Sequence, residues 1–247
     1  MSKKMKVRSV VSGKSLAMVC TASVLFLASS AKASLVTNGS FETTTSGGGQ
    51  LGFNTNATGW TTTGYNFVYA PGTADTSGVT GVYGNVQLWG PGNGSLNGLP
   101  VSPSGGNFVA ADGSFEVGAI SQTISGLTAG ASYTVSFYFA GAQAFGYSDS
   151  TTEQWNVSFG GQTQSTPVLS NASHGFTGWQ QDTMTFVADN TSDVLSFLAV
   201  GTPDGLPPFV LLDGVSVNAA SAAPEPVTGA LMIAGLLVGA GLIRAKK

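Results

Sequence analysis

The chain has 247 residues and a formal net charge of −3, but the charge is unevenly placed. Six of the nine basic residues precede Ser34 and three follow Ile243, so residues 34–226 hold no Lys or Arg and all twelve acids, a formal −12. A surface without cations cannot neutralise phosphates, which excludes nucleic acid as a partner and disfavours contact with anionic lipid through this region.

The N-terminus carries Lys3, Lys4, Lys6, Arg8 and Lys14, then an apolar run over 16–28 and a small-x-small site at Ala31-Lys32-Ala33. This order predicts a signal peptide over 1–33, export and a mature start at Ser34. The single cysteine, Cys20, lies in the apolar run, so the exported part has no disulfide and relies on burying apolar surface. Residues 34–218 are expected to form one β-sandwich domain. Its predicted strands are 35–41, 85–88, 107–110, 119–124, 132–140, 154–159, 181–187, 194–200 and 209–217, short β-branched or alternating runs parted by Gly, Pro, Asn and Asp. In "SYTVSFYFA", Tyr133, Val135, Phe137 and Phe139 share one face, and Gly126 and Gly130 in the preceding "SGLTAG" are free to take positive φ. Many short strands with Gly/Asn turns predict an all-β, antiparallel β-sandwich.

Two stretches break the pattern. Residues 43–56 ("TTTSGGGQLGFNTN") read as a flexible loop, and the G-x-G-x-x-G match inside them has no strand–helix setting. Residues 65–106 hold four of the ten prolines and mix aromatics with glycines, as ligand-binding loops do. Within that stretch Tyr65, Tyr69, Tyr83 and Trp89 are candidate stacking platforms for a sugar ring, with Asn85 and Gln87 beside them to bond hydroxyls. Trp60 and Trp179 are expected in the core, while Trp155 can face either way. Catalysis has little to work with. His174 is the only histidine, it sits in the turn-like "NASHGFTGW", and no nucleophile elbow or signalled carboxylate pair accompanies it. A non-enzyme is expected.

Residues 219–226 ("AASAAPEP") read as a Pro/Ala linker, and 227–243 is an uncharged run followed by Arg244, Lys246 and Lys247. As a helix that run rises roughly 25 Å, slightly less than a bilayer core of about 30 Å. Pro224-Glu225-Pro226, the apolar run and the basic end resemble the PEP-CTERM sorting signal of Gram-negative bacteria. The resemblance implies an exosortase as partner, transient residence of the 227–247 helix and tail in the inner membrane, and delivery to the cell surface or extracellular matrix. A plain membrane anchor is the alternative.

"LVTNGSFE", Gly59-Trp60, "ISQTISGL", "WQQDTMTF" and "FVLLDGVSV" resemble the galactose-binding-like jelly rolls, which include carbohydrate-binding modules. That resemblance implies a two-sheet jelly roll with first and last strands adjacent. It also implies a structural Ca²⁺ between them, held here by Glu42 and Asp213. Hard carboxylate oxygens without His or Cys suit Ca²⁺; Asp112 is a third candidate, and all three acids could instead cap turns. The expected function is binding of exopolysaccharide or a cell-surface glycan. The alternative is a structural matrix protein with no specific ligand. Ice binding rests on a label sometimes given to such tails, and the threonine runs at 43–45 and 61–63 are too short for an ice-facing array. A secreted hydrolase stands last.

Overall fold

The computed structural model describes residues 33–99 and 101–220. The expected signal peptide, the Pro224-Glu225-Pro226 motif and the apolar tail therefore lie outside the described residues. Among those described, the only helical element is a 3₁₀ turn at Pro91–Asn93, and no helix is long and apolar enough to cross a membrane.

Fourteen strands follow one another: β1 (Gly49–Gln50), β2 (Thr61–Thr62), β3 (Asn66–Tyr69), β4 (Val79–Gly81), β5 (Gly84–Val86), β6 (Phe108–Asp112), β7 (Ile120–Ser125), β8 (Ser132–Gln143), β9 (Thr151–Phe159), β10 (Gln162–Ser165), β11 (Leu169–Asn171), β12 (Gln180–Val187), β13 (Ser192–Thr202) and β14 (Pro208–Ala219). They form two six-stranded sheets, β1-β3-β6-β14-β8-β12 and β10-β9-β13-β7-β2 with β11 beside β9, plus the small β4–β5 hairpin. Every strand pair is antiparallel.

Period-two alternation builds the core between the sheets. β9 buries Thr151, Glu153, Trp155, Val157 and Phe159, and β13 buries Asp193, Leu195, Phe197 and Ala199. They meet Val135, Phe137 and Phe139 of β8 and Val210, Leu212 and Val217 of β14. Phe197 lies at the centre, with its ring 5.1 Å from Phe137, 5.9 Å from Trp155 and 6.4 Å from Trp60. The Trp155 indole crosses the sandwich and donates to the Leu211 carbonyl at 3.0 Å. Trp155 thus faces inward, and Trp60 is core as expected.

A second core lies on the other face of the first sheet. Phe67 and Tyr69 of β3, Phe108 and Ala110 of β6, Ala140 and Ala142 of β8, and Phe209 and Leu211 of β14 are covered by Ala74, Val79 and Leu88. This explains the near-continuous apolar runs "NFVY" and "FVLL", which belong to strands buried on both faces. β3 is absent from the predicted strands because so short a run shows no alternation. The 43–56 stretch also departs from expectation. It holds β1, and Gln50 in it is buried and accepts a hydrogen bond from the Val82 amide at 2.7 Å.

Residues 35–41 form no named strand. They run beside β14 through Leu35 N–H to the Val217 carbonyl and Val215 N–H to the Gly39 carbonyl, both 2.9 Å. Gly126 and Gly130 each take φ near 79°, as the β7–β8 turn requires. The outer edge of β12 is blunted by β10. Gln162 and Gln164 donate side-chain amides to the Val187 and Thr185 carbonyls, which an unpaired edge would leave open.

Candidate functional site

At the rim of the second core four loops enclose a cavity of about 570 Å³. The β4–β5 hairpin and its exit supply Tyr83, Asn85 and Gln87, the end of β6 supplies Asp112, Ser114 and Phe115, the β8–β9 connection supplies Phe145 and Tyr147, and the β13–β14 connection supplies Asp204 and Pro207. Tyr65 and Phe209 form the inner wall. The aromatic side is continuous: Tyr65 packs edge-on against Phe115 at 5.4 Å, and Tyr83 lies 5.8 Å from Tyr65 and 5.6 Å from Phe115. Tyr83 is 64% exposed, and Phe115, Phe145 and Tyr147 are each more than 40% exposed, so much of this aromatic surface is open to a ligand.

Asp112 is the singular polar group. Its side chain is 1% exposed. Oδ1 accepts the Ser114 and Phe115 amides at 2.9 and 3.0 Å and the Ser114 hydroxyl at 3.3 Å, a turn built on the β6 end. Oδ2 is buried without a partner. Desolvation raises the Asp112 pKa against the lowering effect of those hydrogen bonds, and the Asp204 charge adds to the rise. Across the cavity mouth the Tyr83 hydroxyl donates to Glu116 Oε1 at 2.5 Å, which raises the tyrosine's pKa.

Of the residues expected to bind a ligand, Tyr65, Tyr83, Asn85 and Gln87 line this cavity. The Asn85 and Gln87 amides already donate to the Ser77 and Thr76 carbonyls at 2.9 and 2.6 Å, which fixes the hairpin. Two expectations are corrected. Tyr69 is a fully buried core residue, its ring 5.6 Å from Phe108 and its hydroxyl donating to the Val86 carbonyl, because β3 turns that side chain under the 70–99 segment. Trp89 does not line the cavity. Its ring lies against His174 at 4.0 Å and Phe145 at 4.5 Å, and its indole N–H donates to the Tyr147 carbonyl, so it braces the Phe145–Tyr147 wall from behind. His174 is held there by the Ser148 hydroxyl at its Nε2 and by Gln143 at its amide.

Glu42 and Asp213 do come together. Asp213 is fully buried at a β-bulge between Asp213 and Ser216, where Gly214 takes φ of 59°. It accepts the Gly214 amide at 2.6 Å and the Ser104 hydroxyl. Glu42 accepts the Asn107 amide at 2.9 Å and lies against Gly106. Desolvation raises the Asp213 pKa to about 6, and the nearby Glu42 charge pushes the same way. Two mutually repelling carboxylates, one of them bonded to the Ser104 hydroxyl, in a region without Lys or Arg, fit a hard cation in charge and donor type. No group of three or more His, Cys, Asp or Glu side chains able to hold a metal occurs among the described residues.

No family model matches the chain, and no curated protein matches it. Among solved structures, TmCBM61 in complex with β-1,4-galactotriose aligns with 19% identity and a TM-score of 0.40, over 76% of this chain and all of its own. The CBM22-1 xylan-binding domain of Paenibacillus barcinonensis Xyn10C aligns with 16% identity and a TM-score of 0.38, over 78% of this chain and all of its own. The enzymatically active domain of bacteriophage CBA120 tailspike protein 4 aligns with 13% identity and a TM-score of 0.37, over 76% of this chain and 21% of its own.

Proposed function

We propose that this chain is an exported surface or matrix protein that binds carbohydrate, without catalysis, in the Tyr65–Tyr83–Phe115–Tyr147 cavity. The observation that carries the reading is an aromatic-walled, 570 Å³ pocket with Asn85, Gln87 and Asp204 among its polar lining groups. Aromatic rings take the apolar C–H face of a pyranose, and polar groups at the pocket wall bond its hydroxyls. The lack of cations in 34–226 weighs against glycans recognised through carboxylate or sulfate groups.

Sorting by an exosortase, passage through the inner membrane and release to the surface belong to the same proposal, and they rest on Pro224-Glu225-Pro226 and the tail sequence. So does a structural Ca²⁺ held by Glu42 and Asp213 with Ser104 beside them. When bound, the ion would offset the repulsion between the two carboxylates and tie the 35–42 segment to the β14 bulge. The test is retention of the full chain on immobilised polysaccharides, with Tyr83→Ala/Phe115→Ala as the cavity variant. Loss of retention at unchanged melting temperature supports the reading, and equal retention moves the ligand away from this cavity.

A further inference from the structure

One inward-facing polar cluster takes no part in the cavity. Thr151 and Glu153 of β9 and Asn171 of β11 are all buried. β11 is only three residues long, and its pairing with β9 sets Asn171 directly opposite Thr151. Side chains so placed have Cβ atoms about 4.5–5.5 Å apart. A hydroxyl oxygen and an amide carbon, each one bond further out, can then meet at the about 3–3.5 Å of a near-attack pair. Both side chains also bond one carboxyl group: the Thr151 hydroxyl donates to Glu153 Oε1, and the Asn171 amide bonds the Glu153 side chain. Glu153 Oε2 is buried without a partner. A Cβ on Gly141 would lie on that oxygen and one on Gly175 on Asn171 Oδ1, so two glycines make the room that the cluster fills.

A hydroxyl, a carboxyl and an amide carbon held together away from water are the parts of an intramolecular acyl transfer. The carboxyl suits both proton transfers, since desolvation raises its pKa from 4.5 to about 7 and both of its forms are populated near neutral pH. We propose that Thr151 and Asn171 join as a side-chain ester. The Thr151 Oγ1 proton passes to Glu153, and the bond from Oγ1 to Asn171 Cγ forms. The Cγ–Nδ2 bond breaks, and Glu153 returns the proton to the leaving nitrogen, which departs as ammonia. No oxidant, reductant or further reactant is needed. The nitrogen has a way out, because Nδ2 donates to the Gly175 carbonyl at 3.3 Å in a turn that reaches the surface at Ala172 and Ser173. Residues 34–226 contain no Cys or Lys, so neither a disulfide nor a lysine–amide bridge is open to them. The ester ties the short β11 to β9 and steadies the 172–175 turn, whose His174 ring packs on Trp89 behind the cavity wall.

The test is made on the full-length chain, refolded and held for a week at about pH 7, near the Glu153 pKa, while its intact mass is followed. The freshly refolded chain is unlinked, the state in which wild type and Glu153→Gln compare on equal terms. With time the mass should fall by one ammonia in most of the molecules. Peptic digestion should then yield a linked species joining the fragment with residue 151 to the fragment with residue 171, and hydroxylamine, which cleaves esters, should separate them. Thr151→Val should abolish the loss, Thr151→Ser should retain it, and Glu153→Gln should slow it at least about a hundredfold. Where Thr151→Val does not fold, the linked fragments and Glu153→Gln decide.

An unchanged mass in refolded wild-type chain overturns the proposal. Ammonia loss without a linked fragment, or persisting in Thr151→Val, marks a succinimide at Asn171-Ala172 and overturns it as well. An undiminished rate in Glu153→Gln overturns the part given to Glu153. None of these outcomes touches the carbohydrate reading, whose readout is retention on polysaccharide.

Discussion

Glu153 is a carboxylate that the fold holds where charge is expensive. It points inward from β9 between Thr151 and Trp155 and is fully buried. The Thr151 hydroxyl donates to Oε1, whereas Oε2 lies beneath Gly141 without a partner. Desolvation raises its pKa from the ordinary 4.5 to about 7, outweighing the hydrogen bonds from Thr151 and Asn171 that lower it. The folded state then binds a proton that the unfolded chain releases, so stability falls as pH rises from 4.5 to about 7 and is flat above. At about 1.4 kcal/mol per unit, the loss across that window is roughly 3 kcal/mol. Glu153→Gln keeps the shape and removes the charge, at about 1 kcal/mol for a new amide donor without an acceptor. Relative to wild type it should be neutral or slightly destabilising near pH 4.5 and stabilising by about 2 kcal/mol near pH 8. Asp213 shifts in the same direction in both proteins, so the difference between them isolates Glu153. Urea unfolding of the full chain in the presence of chelator, followed by tryptophan fluorescence, measures this through Trp155 in the same strand. A difference independent of pH, or destabilisation that grows toward pH 8, would refute the reasoning.

Millimolar Ca²⁺ added after chelation should raise the melting temperature, with a gain of about 2.7 kcal/mol at a hundredfold excess over Kd. Asp213→Ala should abolish that rise, and a shift that persists in the variant places the ion elsewhere. Tyr83→Ala/Phe115→Ala should weaken polysaccharide retention at least tenfold while moving the melting temperature little, because both side chains are more than 40% exposed. Unfolding of this variant would show that the aromatics are structural. Phe197→Ala, at the centre of the sandwich, should cost about 3–5 kcal/mol in urea unfolding, and a loss under about 1 kcal/mol would mean that the site collapses freely. Replacing Pro224-Glu225-Pro226 by three alanines should leave the chain in the inner membrane, as read by fractionation. Normal release of that variant would rule out recognition of the tripeptide.

The long strands were legible because one face of each meets the core and the other meets water. "SYTVSFYFA" shows β8 by alternation alone, although the strand runs on to Gln143 where both faces are buried and alternation stops. β3 and β4 were not legible, since a four-residue run buried on both sides and a three-residue strand leave no period to read, whereas the expected strand over 85–88 overlaps β5. The 65–106 stretch stands apart by composition, but Tyr69, Ala74, Val79 and Leu88 in it belong to a second core, and a roof and a binding loop share the same Gly/aromatic composition. Half of the cavity lay beyond local reading: Phe145, Tyr147 and Asp204 reach Tyr83 only through the sheet order, from more than 60 residues away in sequence. Asp112 reads in the sequence as a third candidate Ca²⁺ ligand with turn capping as the alternative, and through Oδ1 it caps a turn. Nothing in "AADGSFE" reveals that Oδ2 is left over. Glu153 could have been found, because its spacing from Trp155 and Val157 places it on the inward face.

The most direct measurement of the central claim is a glycan-array screen of the full-length chain beside its Tyr83→Ala/Phe115→Ala and Asp112→Asn variants, all at matched thermal stability. Binding through the cavity predicts a restricted set of glycans retained by the wild type, lost with the aromatic pair and weakened by Asp112→Asn. Retention of no glycan, or an identical pattern for all three proteins, would contradict it.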